Sequence, residues 1–165
     1  MEENKMARGI MYEITSETEL ENAGIFSLSE DDLLDFVGNA FDYCSDKDRE
    51  EDVPEKMEYL QKFGFITGTD KIETTDGEKT VPYICVTQEA KEAYFTKSYD
   101  DFMEKVQSLT ITEFASDTFE IANLIADSYG DAACLNGMLY WTFDNCMRDL
   151  VPGEKYYFGN TVFMH

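Results

Sequence analysis

The excess of acidic residues is the feature that most constrains this chain. Of its 165 residues, 35 are Asp or Glu and only 13 are Lys or Arg, so the formal net charge is −22 at pH 7. Self-repulsion of this size opposes a compact state, and an apolar core must offset it. Hydrophobic residues make up 43% of the chain and aromatic residues 14%, which excludes the composition of disordered proteins. We therefore expect a folded protein that repels nucleic acid and anionic membranes and attracts basic partners.

The chain length of 165 residues is typical of one domain, or of two small subdomains that share a core. We predict an N-terminal segment over 1–28, a second part over 29–109 and a helical part over 110–165. The four cysteines form no C-x-x-C pair, and the sequence contains no apolar leader and no run of about 18 apolar residues. These features predict a soluble protein of the reducing cytoplasm.

Apolar periodicity predicts the elements of the first third. The segment "GIMYEIT" is typical of a short strand, and "ETELENAG" of a helical turn. A helix is predicted from about 30 to 44. A second helix is predicted to contain Pro54 in its first turn, to run to Phe63 and to end at Gly64.

The middle of the chain predicts a hairpin followed by helices. Phe65–Thr67 and Tyr83–Val86 are the predicted strands, with a turn at Asp76-Gly77 in the tip of a long connection. Thr87 is the predicted cap of the next helix, and Ser98 begins or restarts another. The apolar residues that we expect this last helix to turn inward are Phe102, Met103 and Val106.

The last third predicts two helices and a closing hairpin. One helix covers about 112–129, with Phe114 on its apolar face, and the other covers about 138–149. Pro152-Gly153 predicts a turn, and Gly159-Asn160 is expected to join two short strands in a β-hairpin. Aromatic residues of this region, which we expect to pack in the core and the hairpin, are Tyr140, Trp141, Tyr156 and Tyr157.

Residues 29–97 resemble a winged-helix domain. The resemblance is carried by "YLQKFGFI" and "YICVTQEAKEAY", which match a helix that ends at glycine, a strand, a protruding wing, and a second strand that enters a helix through threonine. A glycine often follows that threonine by three residues, and here Ala90 takes its place. The resemblance implies an α+β protein: a winged-helix-like domain followed by a helical segment closed by a small β-hairpin.

The charge of this region departs from that of a DNA-binding winged helix, in which Lys and Arg neutralise phosphates. The helix in the position of the recognition helix, "EDVPEKMEYLQKF", carries four acids against two lysines. Such a helix is poorly suited to bind the phosphates of DNA. The resemblance together with this charge implies that DNA binding has been lost, or inverted so that the protein imitates DNA instead of binding it.

Acidic residues at helical spacing suggest such an inversion. One stripe rises about 6 Å per charge, whereas B-DNA carries one charge per about 1.7 Å of axis, so several stripes on one flank, or a homodimer that extends them, are needed to imitate a duplex. An ordinary solvated helix face is the alternative. The net charge by segment is −13 in 1–60, −3 in 61–110 and −6 in 111–165. The candidate partner-binding residues are Asp31, Asp32, Asp35, Asp42, Asp46, Asp48, Glu50, Glu51 and Asp52.

In length and charge the chain also resembles antirestriction proteins of mobile elements, such as the ArdA type, and some anti-CRISPR proteins. A short stretch, "FDNCMRDLVPG", is similar to the ArdA tail, while the N-terminal half is not. The resemblance implies a decoy that occupies the basic DNA groove of a restriction or CRISPR enzyme. Its partner would be a basic nucleic-acid-binding protein, and the chain would bind neither nucleic acid nor membrane directly.

Catalytic signatures are missing from the sequence. The one histidine is His165, the last residue, and no phosphate-binding or dinucleotide-binding glycine motif occurs. The segment 46–57 alternates acids like a calcium loop, but Glu51 and Met57 stand where such a loop has Gly and Glu. We therefore expect a non-enzymatic protein without cofactor or metal. A small enzyme that uses carboxylates and a borrowed metal stays open as an alternative.

A second alternative is a protein-interaction module on a winged-helix scaffold that does not bind DNA. In this hypothesis an apolar surface, rather than the acidic residues, makes the contact. The C-terminal hairpin is the expected surface, through Tyr157, Phe158 and Phe163.

Overall fold

The computed structural model describes residues 9–23, 44–45, 51–74, 77–116 and 130–164, which form seven strands and five helices. This mixed composition confirms the α+β class. The strands are β1 Gly9–Ser16, β2 Cys44–Ser45, β3 Ile66–Thr74, β4 Gly77–Cys85, β5 Ala132–Leu135, β6 Met138–Tyr140 and β7 Lys155–Met164. The helices are α1 Glu17–Ala23, α2 Asp52–Gln61, α3 Gln88–Ser108, α4 Ile111–Ser116 and α5 Phe143–Asp149.

All the described strands belong to one sheet, in the order β3-β4-β7-β1-β5-β6, with β2 paired to the end of β7. Among these pairings only β1 with β5 is parallel. The last strand, β7, lies at the centre, where it pairs along β1 from Gly9–Met164 to Ser16–Tyr156 and also pairs with β4. The C-terminal strand therefore joins the β3-β4 hairpin to the rest of the sheet.

One face of the sheet carries the main hydrophobic core. Strand alternation turns Tyr12 and Ile14 of β1 to this face. Helices α2, α3 and α5 cover it with buried side chains that include Leu60, Tyr94 and Met147. All three helices therefore lie on the same side of the sheet.

A polar cluster ties the hairpin to the centre of the sheet. The Asp70 carboxylate of β3 accepts hydrogen bonds from the Lys155 ammonium at 3.0 Å and from the Tyr157 hydroxyl at 2.7 Å, both on β7. The Lys155 ammonium also lies 4.2 Å from the Tyr83 ring centroid. These hydrogen bonds hold the pKa of Asp70 below its usual value, with the Tyr157 hydroxyl as the main cause.

Several local predictions are confirmed. Strand β1 and helix α1 lie where "GIMYEIT" and "ETELENAG" predicted them. Helix α2 contains Pro54 in its first turn and is followed by Gly64 with φ +101°. The Thr87 side chain caps α3, because its hydroxyl oxygen accepts a hydrogen bond from the Ala90 backbone at 3.1 Å. The predicted turn at Pro152-Gly153 is also present.

The expected break at Ser98 is wrong, because α3 is a single helix of 21 residues. Its second half extends beyond the core that its first half covers. Phe102 and Val106 are therefore 36% and 38% exposed instead of buried. Phe114, expected on an apolar face, is 64% exposed in α4.

The hairpin predictions need two corrections. Strands β3 and β4 are nine residues each, so they extend well beyond the predicted Phe65–Thr67 and Tyr83–Val86 toward the tip. Strand β7 is continuous, so no turn occurs at Gly159-Asn160. These two residues lie opposite Glu13 at a register shift between β1 and β7. The extra residue makes a β-bulge within the strand, and the expected C-terminal hairpin is wrong.

The helix predicted over 138–149 begins only at Phe143, because Met138–Tyr140 forms strand β6. Asn136 and Gly137 have φ of 51° and 82°, the positive values that a tight hairpin turn between β5 and β6 requires. Of the residues expected on the apolar stripe of the helix, Phe143, Cys146, Met147 and Leu150 are buried, whereas Leu139 lies in β6 and is only partly buried.

Two predicted helices fall largely outside the described residues. Of the helix over 30–44, only Cys44 is described, and it lies in β2. Of the helix over 112–129, the described part is the C-terminal portion of α4, which ends at Ser116. The order helix, strand, strand, helix from α2 to α3 is the order that the winged-helix resemblance implies, and the winged-helix assignment itself stays a prediction.

Candidate interaction surface

The predicted partner-binding residues divide between the undescribed and described parts of the chain. Of the described ones, Glu51 is exposed where α2 begins, whereas Asp52 is only 2% exposed and its carboxylate lies inside the protein. Partner binding by the whole set stays a prediction. The members outside the described residues are Asp31, Asp32, Asp35, Asp42, Asp46, Asp48 and Glu50.

Helix α3 presents an acidic outer face. At 100° per residue, four of its acids fall within about a third of the helix circumference, opposite the side that carries Tyr94. All four are exposed, and they extend along about 22 Å of the helix axis. We call this set the α3 acidic stripe; it consists of Glu89, Glu92, Asp100 and Glu104.

The acidic excess is uneven over the described surface. The outer side of α2 carries exposed Glu51, Glu55 and Glu58, while Met57 and Leu60 face the core. The β3-β4 hairpin, by contrast, is nearly balanced. Its described charged residues are Asp70, Lys71, Glu73, Glu78 and Lys79. Helices α2 and α3 together carry eight acids against four lysines, and the hairpin three against two, so the helical layer has the larger negative charge.

A cleft of about 1020 Å³ opens between α2, α3 and the segment that leads into α5. It exists because α3 continues past Tyr94, where the core ends, and forms one wall. We call it the aromatic cleft. The aromatic residues that line it are Tyr59, Tyr94, Phe95, Tyr99, Phe102, Trp141 and Phe143.

The floor of the aromatic cleft holds Lys56. Its ammonium lies 2.9 Å from an Asp131 carboxylate oxygen and 4.3 Å from the Phe143 ring centroid. The Tyr12 ring lies 5.2 Å away on another side. The other carboxylate oxygen of Asp131 accepts a hydrogen bond from the Ile10 backbone at 3.0 Å. The cation is thus fixed by a carboxylate and aromatic faces together.

The α5 wall of the cleft is held by polar contacts. The Tyr94 hydroxyl donates to the Asp144 carboxylate at 2.6 Å. Burial, with a further contribution from Asp144, raises the pKa of Tyr94 well above its usual value. The Thr142 hydroxyl oxygen accepts from the Asn145 backbone at 3.1 Å and so caps α5. These bonds set the orientation of the wall.

The aromatic cleft differs from the hydrophobic core because some of its aromatic side chains are exposed. Tyr99 is 62% exposed and Trp141 57%, so the expectation that Trp141 packs in the core is wrong. Tyr156 and Tyr157 are buried, as expected. The Asn136-Gly137 pair is a local signal for a hairpin turn, and it could have excluded a helix that begins at 138 and buries Trp141.

Reactive groups are scarce in the described residues. Burial raises the pKa of the Cys134 thiol to about 11 and that of the Cys146 thiol to about 12, which makes both poor nucleophiles. Over the same residues, no three His, Cys, Asp or Glu side chains are grouped as a metal ion requires.

None of the helices in the described ranges has the length and apolar character needed to cross a membrane. Comparison of the chain with protein-family models, curated proteins and solved structures finds no match. The function proposed below therefore depends on the charges, exposed side chains and cleft of the chain itself.

Proposed function

We propose that this chain is a non-enzymatic acidic protein of the cytoplasm that mimics nucleic acid. It binds the basic cleft of a DNA-handling protein of the restriction or CRISPR type. The observation that carries the proposal is a net charge of −22 combined with exposed acids on the outer sides of α2 and α3. Carboxylates at these positions take the place of phosphates against Lys and Arg of the partner.

The placement of the helices supports the proposal. Because α2 and α3 pack against the same face of the sheet, their outer sides face the same side of the molecule. A single stripe is too dilute to match a duplex, which carries one charge per about 1.7 Å. Two helices side by side raise the charge density along this side of the molecule. Attraction of this kind gives fast, salt-sensitive association.

Inhibition of DNA cleavage tests the proposal. The full chain is titrated into cleavage reactions of a panel of restriction and CRISPR nucleases, each at a fixed concentration of duplex DNA. We expect inhibition of at least one enzyme, relieved by excess duplex and by salt. The stripe variant combines Glu89→Gln, Glu92→Gln, Asp100→Asn and Glu104→Gln. It is expected to inhibit at least tenfold more weakly, which corresponds to a loss of about 1.4 kcal/mol in binding free energy.

A control variant neutralises two acids on the nearly balanced hairpin, Glu73→Gln with Glu78→Gln, and is expected to inhibit like the unaltered chain. Inhibition that excess DNA does not relieve, or that both variants reduce equally, contradicts nucleic-acid mimicry by the helical surface.

The alternative function is a protein-interaction module that does not depend on charge. The hairpin surface expected for it is not available, because Tyr157 and Phe158 are 3% and 1% exposed; the Phe163 side chain lies outside the described ones. The aromatic cleft favours this alternative instead, through Tyr99 and Trp141. It predicts partner binding that is insensitive to salt and lost on substitution in the cleft.

A further inference from the structure

The aromatic cleft is centred on the side of α3 that carries Tyr94 and Phe102, away from the centre of the α3 acidic stripe. Rings on the wall, such as Tyr99 at 62% and Trp141 at 57%, are widely exposed. Exposed aromatic side chains in a concave surface are typical of binding anchors, because they offer large, rigid contact areas. The cleft therefore has the features of a site for part of a partner molecule.

The protein's own contacts show which chemistry these rings accept. Lys56 places its ammonium 4.3 Å from the Phe143 ring centroid, and the Arg148 guanidinium carbon lies 6.0 Å from the Phe95 ring centroid. Both rings line the cleft. The cleft thus already holds two cations of its own chain against aromatic faces.

Charge determines which partner can approach. The chain carries −22, so a second copy would bring the same charge to the cleft and be repelled. A basic segment is attracted instead by the chain as a whole, while the charged residues that line the cleft are balanced, with three aspartates against Lys56, Lys105 and Arg148. Within the cleft, the Asp144 carboxylate accepts from the neutral Tyr94 hydroxyl, and the half-exposed Asp101 on the α3 wall pairs with Lys97, which does not line the cleft. Carboxylate oxygens have several lone pairs, so both groups can accept further hydrogen bonds.

We infer that the aromatic cleft binds an arginine-bearing segment of the basic partner. A guanidinium stacks on the exposed rings of Trp141 or Tyr99, and a carboxylate of the cleft accepts its N–H groups. Arginine fits better than lysine because its planar, weakly hydrated group both stacks on a ring and forms paired hydrogen bonds. The inference rests on the proposed function, since it identifies where part of that same basic partner is held.

Trp141 is the only tryptophan of the chain, so its fluorescence reports directly on the cleft. The probe is a short capped peptide of alternating arginine and glycine, added to the full chain at low salt. Matched peptides replace arginine by lysine or by citrulline, which keeps the shape and removes the charge. We expect saturable quenching by the arginine peptide, weaker quenching by the lysine peptide and none by the citrulline peptide.

Variants measured by calorimetry separate the cleft from the stripe. Trp141→Ala and Tyr99→Ala are each expected to weaken binding of the arginine peptide about fivefold to tenfold, within the range of a cation–π contact. The control is Ile111→Ala, because Ile111 is 88% exposed and does not line the cleft. It should leave the dissociation constant unchanged.

The outcomes distinguish the inference from the proposed function. If the arginine peptide leaves Trp141 fluorescence unchanged, or if the cleft variants bind it as tightly as Ile111→Ala, the inference is overturned. Equal binding of the citrulline peptide overturns it too, since the cleft would then recognise apolar shape. Each of these results leaves the proposed function standing, provided that nuclease inhibition still depends on the α3 acidic stripe.

Discussion

The Lys56 ammonium lies 2.9 Å from the Asp131 carboxylate and thereby joins α2 to the residue that precedes β5. The two side chains are only 13% and 28% exposed. Asp131 in turn accepts the Ile10 backbone N–H, so three segments distant in sequence meet at one ion pair. This contact fixes the floor of the aromatic cleft.

Removal of this ion pair is expected to destabilise the fold. Lys56→Ala should lower the free energy of unfolding by about 2 kcal/mol, the loss of a largely buried hydrogen bond to a charged group. The control is Lys97→Ala, which removes the exposed pair with Asp101 and should cost about 0.4 kcal/mol. Urea unfolding of both variants measures the difference. Equal costs would show that the Lys56 contact has no special role.

Gly68 leaves room for an aromatic ring across the hairpin. It pairs with Tyr83, whose ring lies against the position that a Cβ atom at residue 68 would occupy. Gly68→Ala is expected to cost about 1–3 kcal/mol through overpacking. In a Tyr83→Ala background the same substitution should cost far less. A double-mutant cycle by urea unfolding checks this coupling, and additive costs would contradict the contact.

Alkaline pH is expected to weaken the fold through two tyrosines. Burial, followed by the hydrogen bond to Asp70, raises the pKa of Tyr157 from 10 to about 12, and the hydrogen bond to Asp149 raises that of Tyr140 to about 12. The folded state therefore holds these protons more tightly than the unfolded state, so the stabilisation from these two tyrosines is full below pH 10 and is lost as the pH rises toward 12. Thermal melts over this window test the effect. Tyr157→Phe with Tyr140→Phe should flatten the fall, and an unchanged pH profile in that variant would contradict it.

Salt is expected to stabilise the protein. The net charge of −22 opposes the compact state, and the screening length falls from about 10 Å at 0.1 M salt to about 3 Å at 1 M. The melting temperature should therefore rise with sodium chloride. The stripe variant, which has four fewer negative charges, should show a smaller rise. A melting temperature that falls with salt would indicate that favourable ion pairs outweigh the repulsion.

Local signals in the sequence predicted much of the secondary structure. Thr87 fixes the start of α3 because its hydroxyl oxygen accepts a hydrogen bond from the Ala90 backbone N–H, which has no partner within the helix. Gly64 ends the α2 region because its φ of +101° is a conformation that favours glycine. Each of these depends on a few neighbouring residues. Such signals act before any long-range packing and are therefore visible in the sequence.

The errors arose where packing between distant segments decides the outcome. Gly159-Asn160 has the composition of a turn, but pairing of β7 with β1 converts it into a bulge opposite Glu13. Phe102 has the spacing of a core residue, but α3 is longer than the core it covers. The error over 138–149 is different, because a local signal was present. Asn136-Gly137 indicates a hairpin turn, but the apolar spacing after it was interpreted as a helix.

The candidate site was only partly predictable for the same reason. Acidic stripes follow from helical spacing alone, but the residues predicted from the sequence lie at 31–52 and the α3 acidic stripe was not among them. The aromatic cleft brings Tyr99 of α3 to the same concavity as Trp141, which follows β6. No pattern within either segment indicates that approach, because the path of the sheet between them determines it.

The salt dependence of partner binding tests the central claim most directly. The dissociation constant of the chain for a nuclease that it inhibits is measured from low to high sodium chloride, with the stripe variant and the hairpin control in parallel. We predict a steep loss of affinity with salt, a shallower dependence for the stripe variant, and no change for the hairpin control. A dissociation constant that is indifferent to salt, or equal for the stripe variant and the unaltered chain, would contradict the account.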